Sequence, residues 1–199
     1  VQTIEYTLPY DSSIHLEAQI APFSDPQTEE RFVIWLSRDI SERKKVAKTL
    51  RESEERYRGL FEYSPISLWE EDFSKVKVYI DTVRDTGVTD FQTYFEENPE
   101  EVVKCAAMID VININRATLE MFGIESKNKF LEKYGDLSKS FTEEKHTSIR
   151  SQLLAVAEGK TEFEQELISQ AQSKNARYIT MRWSVTPGSE ESLSRVLIT

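Results

Sequence analysis

Few side chains in this chain have the type and spacing to do chemistry. There is one cysteine, Cys105, in Val-Val-Lys-Cys-Ala-Ala, a setting that suits a small apolar packing residue better than a reactive thiol. There are two histidines. His15 sits on the polar phase of an alternating stretch and reads as surface. His146 is the better candidate for chemistry, but it lies beside Glu143, Glu144 and Lys145, and its His-Thr-Ser-Ile-Arg context does not match a phosphoacceptor box. No Ser/His/Asp arrangement and no phosphate-cradling glycine loop is evident, so an enzyme active site is not expected in this segment. Two constellations remain. Asp39 and Ser41 can hydrogen-bond backbone where an extended stretch becomes helical, serving either as a plain cap or as a switching junction. The aromatic set Trp69, Tyr79, Phe91, Tyr94, Phe95, Phe122 and Trp183 is either ordinary core or, in part, the lining of a ligand cavity. Trp69 and Trp183 are expected on an inner sheet face, with Met181 and Phe122 beside them.

The elements that position these residues follow from periodicity. Residues 39–62 form a long charged helix with a thin seam of Val46, Leu50, Tyr57 and Leu60 at heptad-like steps, Ser53 filling the missing position. Such a seam is too narrow for a globular core and suits pairing with a second copy, parallel or antiparallel. Before it, residues 3–8 and 14–20 alternate as half-buried strands, Ser24-Asp25-Pro26-Gln27 reads as a turn, and Phe32 to Leu36 is a continuous apolar run consistent with a central strand. Three strands make a poor core by themselves.

After the connector, a short strand is expected at 66–70. A helix capped by Ser74 carries Val76, Tyr79, Ile80 and Val83, and two further helices open near Thr89 and Asn98. A short strand spans 109–112. Helices follow at 113–123, 126–134 and 142–158, then strands around 163–167, 179–185 and 193–199.

The 199 residues carry 25 basic and 35 acidic side chains, a net charge of −10, which disfavours nucleic acid as a partner. No apolar run reaches the roughly 18 residues a membrane span needs, so no direct membrane contact is expected. One cysteine fits a reducing, cytoplasmic setting. The chain opens inside a strand-like pattern and reads as a piece of something larger. Leu16 to Pro22 also matches Met181 to Pro187 in pattern, each strand ending at proline, with similar strands before and after. That is the repeat of a whole domain, with the first copy lacking everything before its last strands.

Three motifs carry a family resemblance. Arg38-Asp39-Ile40-Ser41-Glu42-Arg43-Lys44 resembles the Asp-x-Ser/Thr junction that closes a PAS domain. Ser53 to Pro65 is similar to the lead-in of the next PAS domain in a tandem array. Asn115 to Gly123 is similar to the family's Asn-x-Ala-x5-Gly helical segment. The resemblance implies an α+β PAS fold, a five-stranded antiparallel sheet with helices on one face. It implies a partial PAS domain at 1–38, a connector helix at 39–62 and a PAS domain at 63–199 enlarged by a helical insertion at 74–108.

It also implies a homodimer, linked to adjacent PAS and effector domains, acting as a sensory and dimerisation module. The parent would be a cytoplasmic signalling protein, a sensor histidine kinase first of all. The alternatives are a ligand-free assembly spacer, or a regulator of a cyclase or transcription factor. No cofactor is indicated by motif. Haem, which some members bind through a histidine in the region of His146, or a small metabolite, are the options left open. The Asn-Cys-Arg-Phe setting of flavin-adduct members is absent around Cys105.

Overall fold

The computed structural model describes residues 1–24, 26–27, 30–139, 142–169 and 177–199; Asp25 of the expected turn lies outside them. The chain divides into two compact units, Val1–Gly59 and Leu60–Thr199.

The first unit holds β1 (Gln2–Leu8), β2 (Asp11–Ser24), β3 (Arg31–Asp39) and most of α1 (Ser41–Glu62). The strands form an antiparallel sheet in the order β1-β2-β3. Period-2 alternation is kept in β1, where Ile4, Tyr6 and Leu8 turn to the more covered side; in the expected β2 stretch it is not, since Ile14, His15, Leu16 and Glu17 are all half-buried and Ala18 is fully buried. The apolar run of β3 does not form a central strand. It pairs with β2 alone among the described strands, and Phe32, Val33, Ile34, Trp35 and Leu36 are all exposed.

The second unit carries a five-stranded antiparallel sheet built from β4 (Trp69–Asp72), β5 (Asp110–Ile114), β6 (Glu162–Ser169), β7 (Arg177–Val185) and β8 (Val196–Ile198), in the order β5-β4-β8-β7-β6. Short β4 lies between β5 and β8, so it is covered along both edges. Three helices separate β4 from β5: α2 (Ser74–Asp85), α3 (Phe91–Glu97) and α4 (Pro99–Ala106). Then come α5 (Arg116–Phe122), α6 (Lys127–Tyr134) and α7 (Glu143–Ala157).

Spacing explains each helix's buried stripe. Val76, Ile80 and Val83 at i, i+4 and i+7 face inward from α2, and Phe91 and Phe95 from α3. The expected Ser74 cap is not formed. Phe73 holds the cap position, while Asp72 Oδ1 accepts from the Ser74 N–H at 2.7 Å. Asn98 likewise caps without its side chain, which donates instead to the Tyr94 carbonyl at 2.8 Å. Gly123 closes α5 in the left-handed region at φ 61°, where a β-carbon is disfavoured. The core of this unit joins Phe73, Val76, Ile80, Phe95, Val102 and Cys105 to Leu153, Trp183 and Val196.

Candidate functional site

The junction at the start of α1 comes first along the chain. Asp39 Oδ1 accepts from the Ser41 N–H at 2.8 Å, and these hydrogen bonds from Ser41 hold the Asp39 carboxyl below its ordinary range. Ile40, almost fully buried, occupies the cap position and accepts the first helical bond from Lys44. The Ser41 hydroxyl does not cap the helix as expected. It accepts from the His15 N–H at 2.8 Å, and the His15 carbonyl accepts from the Ile40 N–H at 2.8 Å. The first turn of α1 is thus stitched to β2 by two backbone-directed bonds. Lys44 pairs with Glu5 at 2.6 Å, and Arg43 lies 3.3–3.4 Å from Glu17 and Glu5, tying the same turn to β1 and β2. Beyond it the seam is open to solvent: Val46 is 62% exposed, Leu50 60%, Tyr57 53% and Leu60 72%.

Asn115 organises the entry to the second unit. It is fully buried and caps α5. Its Oδ1 accepts from the Thr118 N–H at 3.0 Å and from the Leu68 N–H at 3.0 Å, and its Nδ2 donates to the Ile66 carbonyl at 2.8 Å. The chain from Ile66 to Leu68 is therefore pinned by a side chain rather than by the sheet, which is why the strand expected at 66–70 begins only at Trp69. Ser67 and Thr118 share a hydroxyl contact at 2.8 Å, and the Trp69 Nε1–H donates to the Ser67 hydroxyl at 3.2 Å.

Next to this node lies a cavity of about 630 Å³, within the usual range for small-molecule sites. Its walls come from Trp69 and Glu71 of β4, Phe122 of α5, Ile149 and Gln152 of α7 and Met181 of β7, with further residues of β6 and β8. Of the four residues expected at a pocket, Trp69, Phe122 and Met181 are brought together here. Trp183 is not. It lies deep in the core between Phe73 and Phe163, at ring separations of 6.2 and 5.9 Å, and its indole N–H is shut off from solvent without a hydrogen-bond partner among the described residues. Phe130, which had no place in the expected set, is fully buried and packs against the two lining aromatics. Trp69 meets Phe122 at 5.6 Å and Phe130 at 4.9 Å, both edge-on.

The polar groups of the cavity are few. Glu71 is the residue that sequence reasoning missed. It is 5% exposed, and burial pushes its carboxyl up to about 8. The alternation that turns Trp69 inward turns Glu71 inward as well. Its neighbour Glu70 is also buried, with an Arg195 ion pair at 2.7 Å. Lys145 of α7 lines the cavity and donates to the Lys139 carbonyl at 3.2 Å; burial lowers its pKa.

His146 does not line the cavity. Its Nε2 lies 3.2 Å from the Pro99 carbonyl, which links α7 to the start of α4. Cys105 is fully buried, and burial raises its thiol to about 12, which leaves it a packing residue.

Among the described residues no group of three or more His, Cys, Asp or Glu side chains could hold a metal ion. Among the described residues Glu71 is the one acidic side chain lining the cavity. No helix of the described residues is long and apolar enough to cross a membrane. No protein-family model matches the chain, and no curated protein matches it.

Proposed function

We propose that this chain is a PAS-type sensory and dimerisation module of a signal-transduction protein, a sensor histidine kinase in the first instance. The carrying observation is the connector helix. Its first turn is fastened to a sheet, while Val46, Leu50, Tyr57 and Leu60 stay more than half exposed along one seam. An apolar stripe of that width is stabilised by a copy of itself. The strand order β5-β4-β8-β7-β6, the Asn115 cap and the Asp39/Ser41 junction support the PAS reading. The cavity weighs against a fully packed spacer.

In this reading a small molecule in the cavity favours one packing of the Trp69–Ser67–Asn115 wall. The segment running from α1 into β4 passes that bias to the paired helices, a population shift between two registers or rotations.

The test is sedimentation equilibrium of the 199-residue chain and of Leu50→Asp. The intact chain is expected to dimerise, and a buried aspartate at the seam to weaken the dimer at least about tenfold, or about 1.4 kcal/mol. An unchanged dimer in Leu50→Asp, or in a chain lacking residues 39–62, would remove the helix as the pairing element.

A further inference from the structure

The cavity asks for a particular ligand chemistry. Glu71 is 5% exposed, lines the cavity, and has no hydrogen-bond or ion-pair partner among the described residues. A mostly buried carboxyl whose remaining access is through the cavity is costly to leave with no partner but water, and a ligand in the cavity can complete it. Trp69, two residues earlier on the same face of β4, presents its ring to the same space, and Phe122 lies 5.6 Å from Trp69. A carboxylate beside aromatic faces attracts a cationic nitrogen twice, through charge and through the ring quadrupoles. Ile149, Leu167, Ile179 and Ile198 line much of the remaining volume beside Ser148, Gln152 and Thr180, so the body of the ligand is mainly apolar.

Resting on the sensory reading above, we propose that the cavity binds a small organic amine as its ammonium ion. The nitrogen is held by Glu71 against Trp69 and Phe122, and an apolar body fills the space between β7, β8 and α7. The net charge of −10 favours the approach of a cation.

Proton balance makes this testable. The free protein keeps the proton on Glu71 up to about pH 8. Binding a preformed ammonium requires the carboxylate, so one proton leaves Glu71 for solvent as the ligand enters. Affinity then rises with pH, about tenfold per unit, until Glu71 is ionised in the free protein. A neutral hydrogen-bond acceptor, by contrast, uses the protonated acid and loses affinity as pH rises. The other titratable groups of cavity-lining residues, among the described residues, are Lys145 on α7 and the terminal carboxyl that Thr199 carries in the 199-residue chain. The lining residues of α5, β6, β7 and β8 carry no titratable side chains.

The experiment titrates the whole chain with 4-phenylbutylamine and its neutral counterpart 4-phenylbutan-1-ol, by calorimetry at pH 6, 7 and 8 in buffers of different ionisation heat. Wild type, Glu71→Gln and Lys145→Met are compared, with sedimentation on the same samples. The expected result is tighter binding of the amine than of the alcohol by about tenfold or more at pH 7, with release of about one proton, retained in Lys145→Met and lost in Glu71→Gln. Glutamine is isosteric with the protonated acid, so that variant folds, and unchanged alcohol binding in it shows that it has. Equal affinity for amine and alcohol, an unaffected Glu71→Gln, or no binding of the amine overturns the proposal. Retained dimerisation or alcohol binding in those cases leaves the sensory reading standing, whereas loss of the dimer in sedimentation fails that reading separately.

Discussion

Replacing Asn115 by alanine is the most informative single perturbation of the second unit. The side chain is fully buried and serves two segments at once. Its Oδ1 caps α5 through the Thr118 N–H and also takes the Leu68 N–H, both at 3.0 Å; its Nδ2 holds the Ile66 carbonyl at 2.8 Å. Losing a helix cap costs about 1 kcal/mol. Leaving the buried Leu68 N–H without an acceptor costs about 1–3 kcal/mol more. The Ile66 carbonyl, in an exposed residue, is resolvated at little cost. Asn115→Ala is therefore expected to destabilise this unit by about 3 kcal/mol, roughly a 10 °C fall in Tm for a unit of this size. Asn115→Ser, which keeps a capping oxygen but cannot reach Leu68, should recover about 1 kcal/mol of that loss.

Because the chain has two units, the assay needs a local reporter. Urea unfolding followed by tryptophan fluorescence in a Trp35→Phe background leaves Trp69 and Trp183, both in the second unit. A loss below about 1 kcal/mol for Asn115→Ala would mean that Leu68 finds another acceptor, and would refute the claim that Asn115 fixes the segment entering β4.

Glu71 makes stability fall with rising pH. The unfolded chain releases its proton near 4.5 and the folded chain only near 8, so unfolding sheds a proton throughout that window. Stability drops by about 1.4 kcal/mol per pH unit across it and levels off above. Glu71→Gln should flatten this slope and stabilise the protein at pH 8 by several kcal/mol while changing little at pH 4; parallel pH profiles in urea melts would contradict it. The Asp39 carboxyl, held low by Ser41, gives the opposite sign. Its support of α1 is present above the ordinary aspartate value near 3.9 and lost as pH falls through the lower folded value. Circular dichroism should show acid fraying of α1 that Asp39→Asn removes; identical fraying in both chains would place its cause elsewhere. Cys105 should resist a thiol reagent such as dithiobisnitrobenzoate in the native state and react promptly in urea. Rapid native labelling would mean the α4 core opens.

Local pattern reached some of these features and not others. The exposed apolar stripe of α1 was legible because heptad spacing places Val46, Leu50, Tyr57 and Leu60 along one line of the helix. The closing Gly123 of α5 was legible because it acts within a few residues, whereas the helix start was placed at Asn113, inside β5, two residues before the Asn115 cap. Ser41 was misread because its acceptor oxygen serves a donor on another strand, a long-range contact that no local spacing reveals. The run Phe32–Leu36 looked central because apolarity marks a surface that can be covered, not whether it is. Glu71 was missed for a related reason. Two consecutive glutamates look like a solvated face, but the first is covered by Arg195 and the second faces a cavity whose walls come from helices and strands far along the chain.

The claim that a bound ligand biases a paired connector helix is tested most directly by pulsed electron paramagnetic resonance. A spin label is placed on Leu50→Cys in a Cys105→Ala background, and the distance between chains is measured with and without saturating 4-phenylbutylamine. The account predicts a short inter-chain distance at Leu50, present in two populations whose ratio shifts on binding and does not shift in Glu71→Gln. The absence of any inter-chain distance, or one distribution unchanged by ligand, would contradict it.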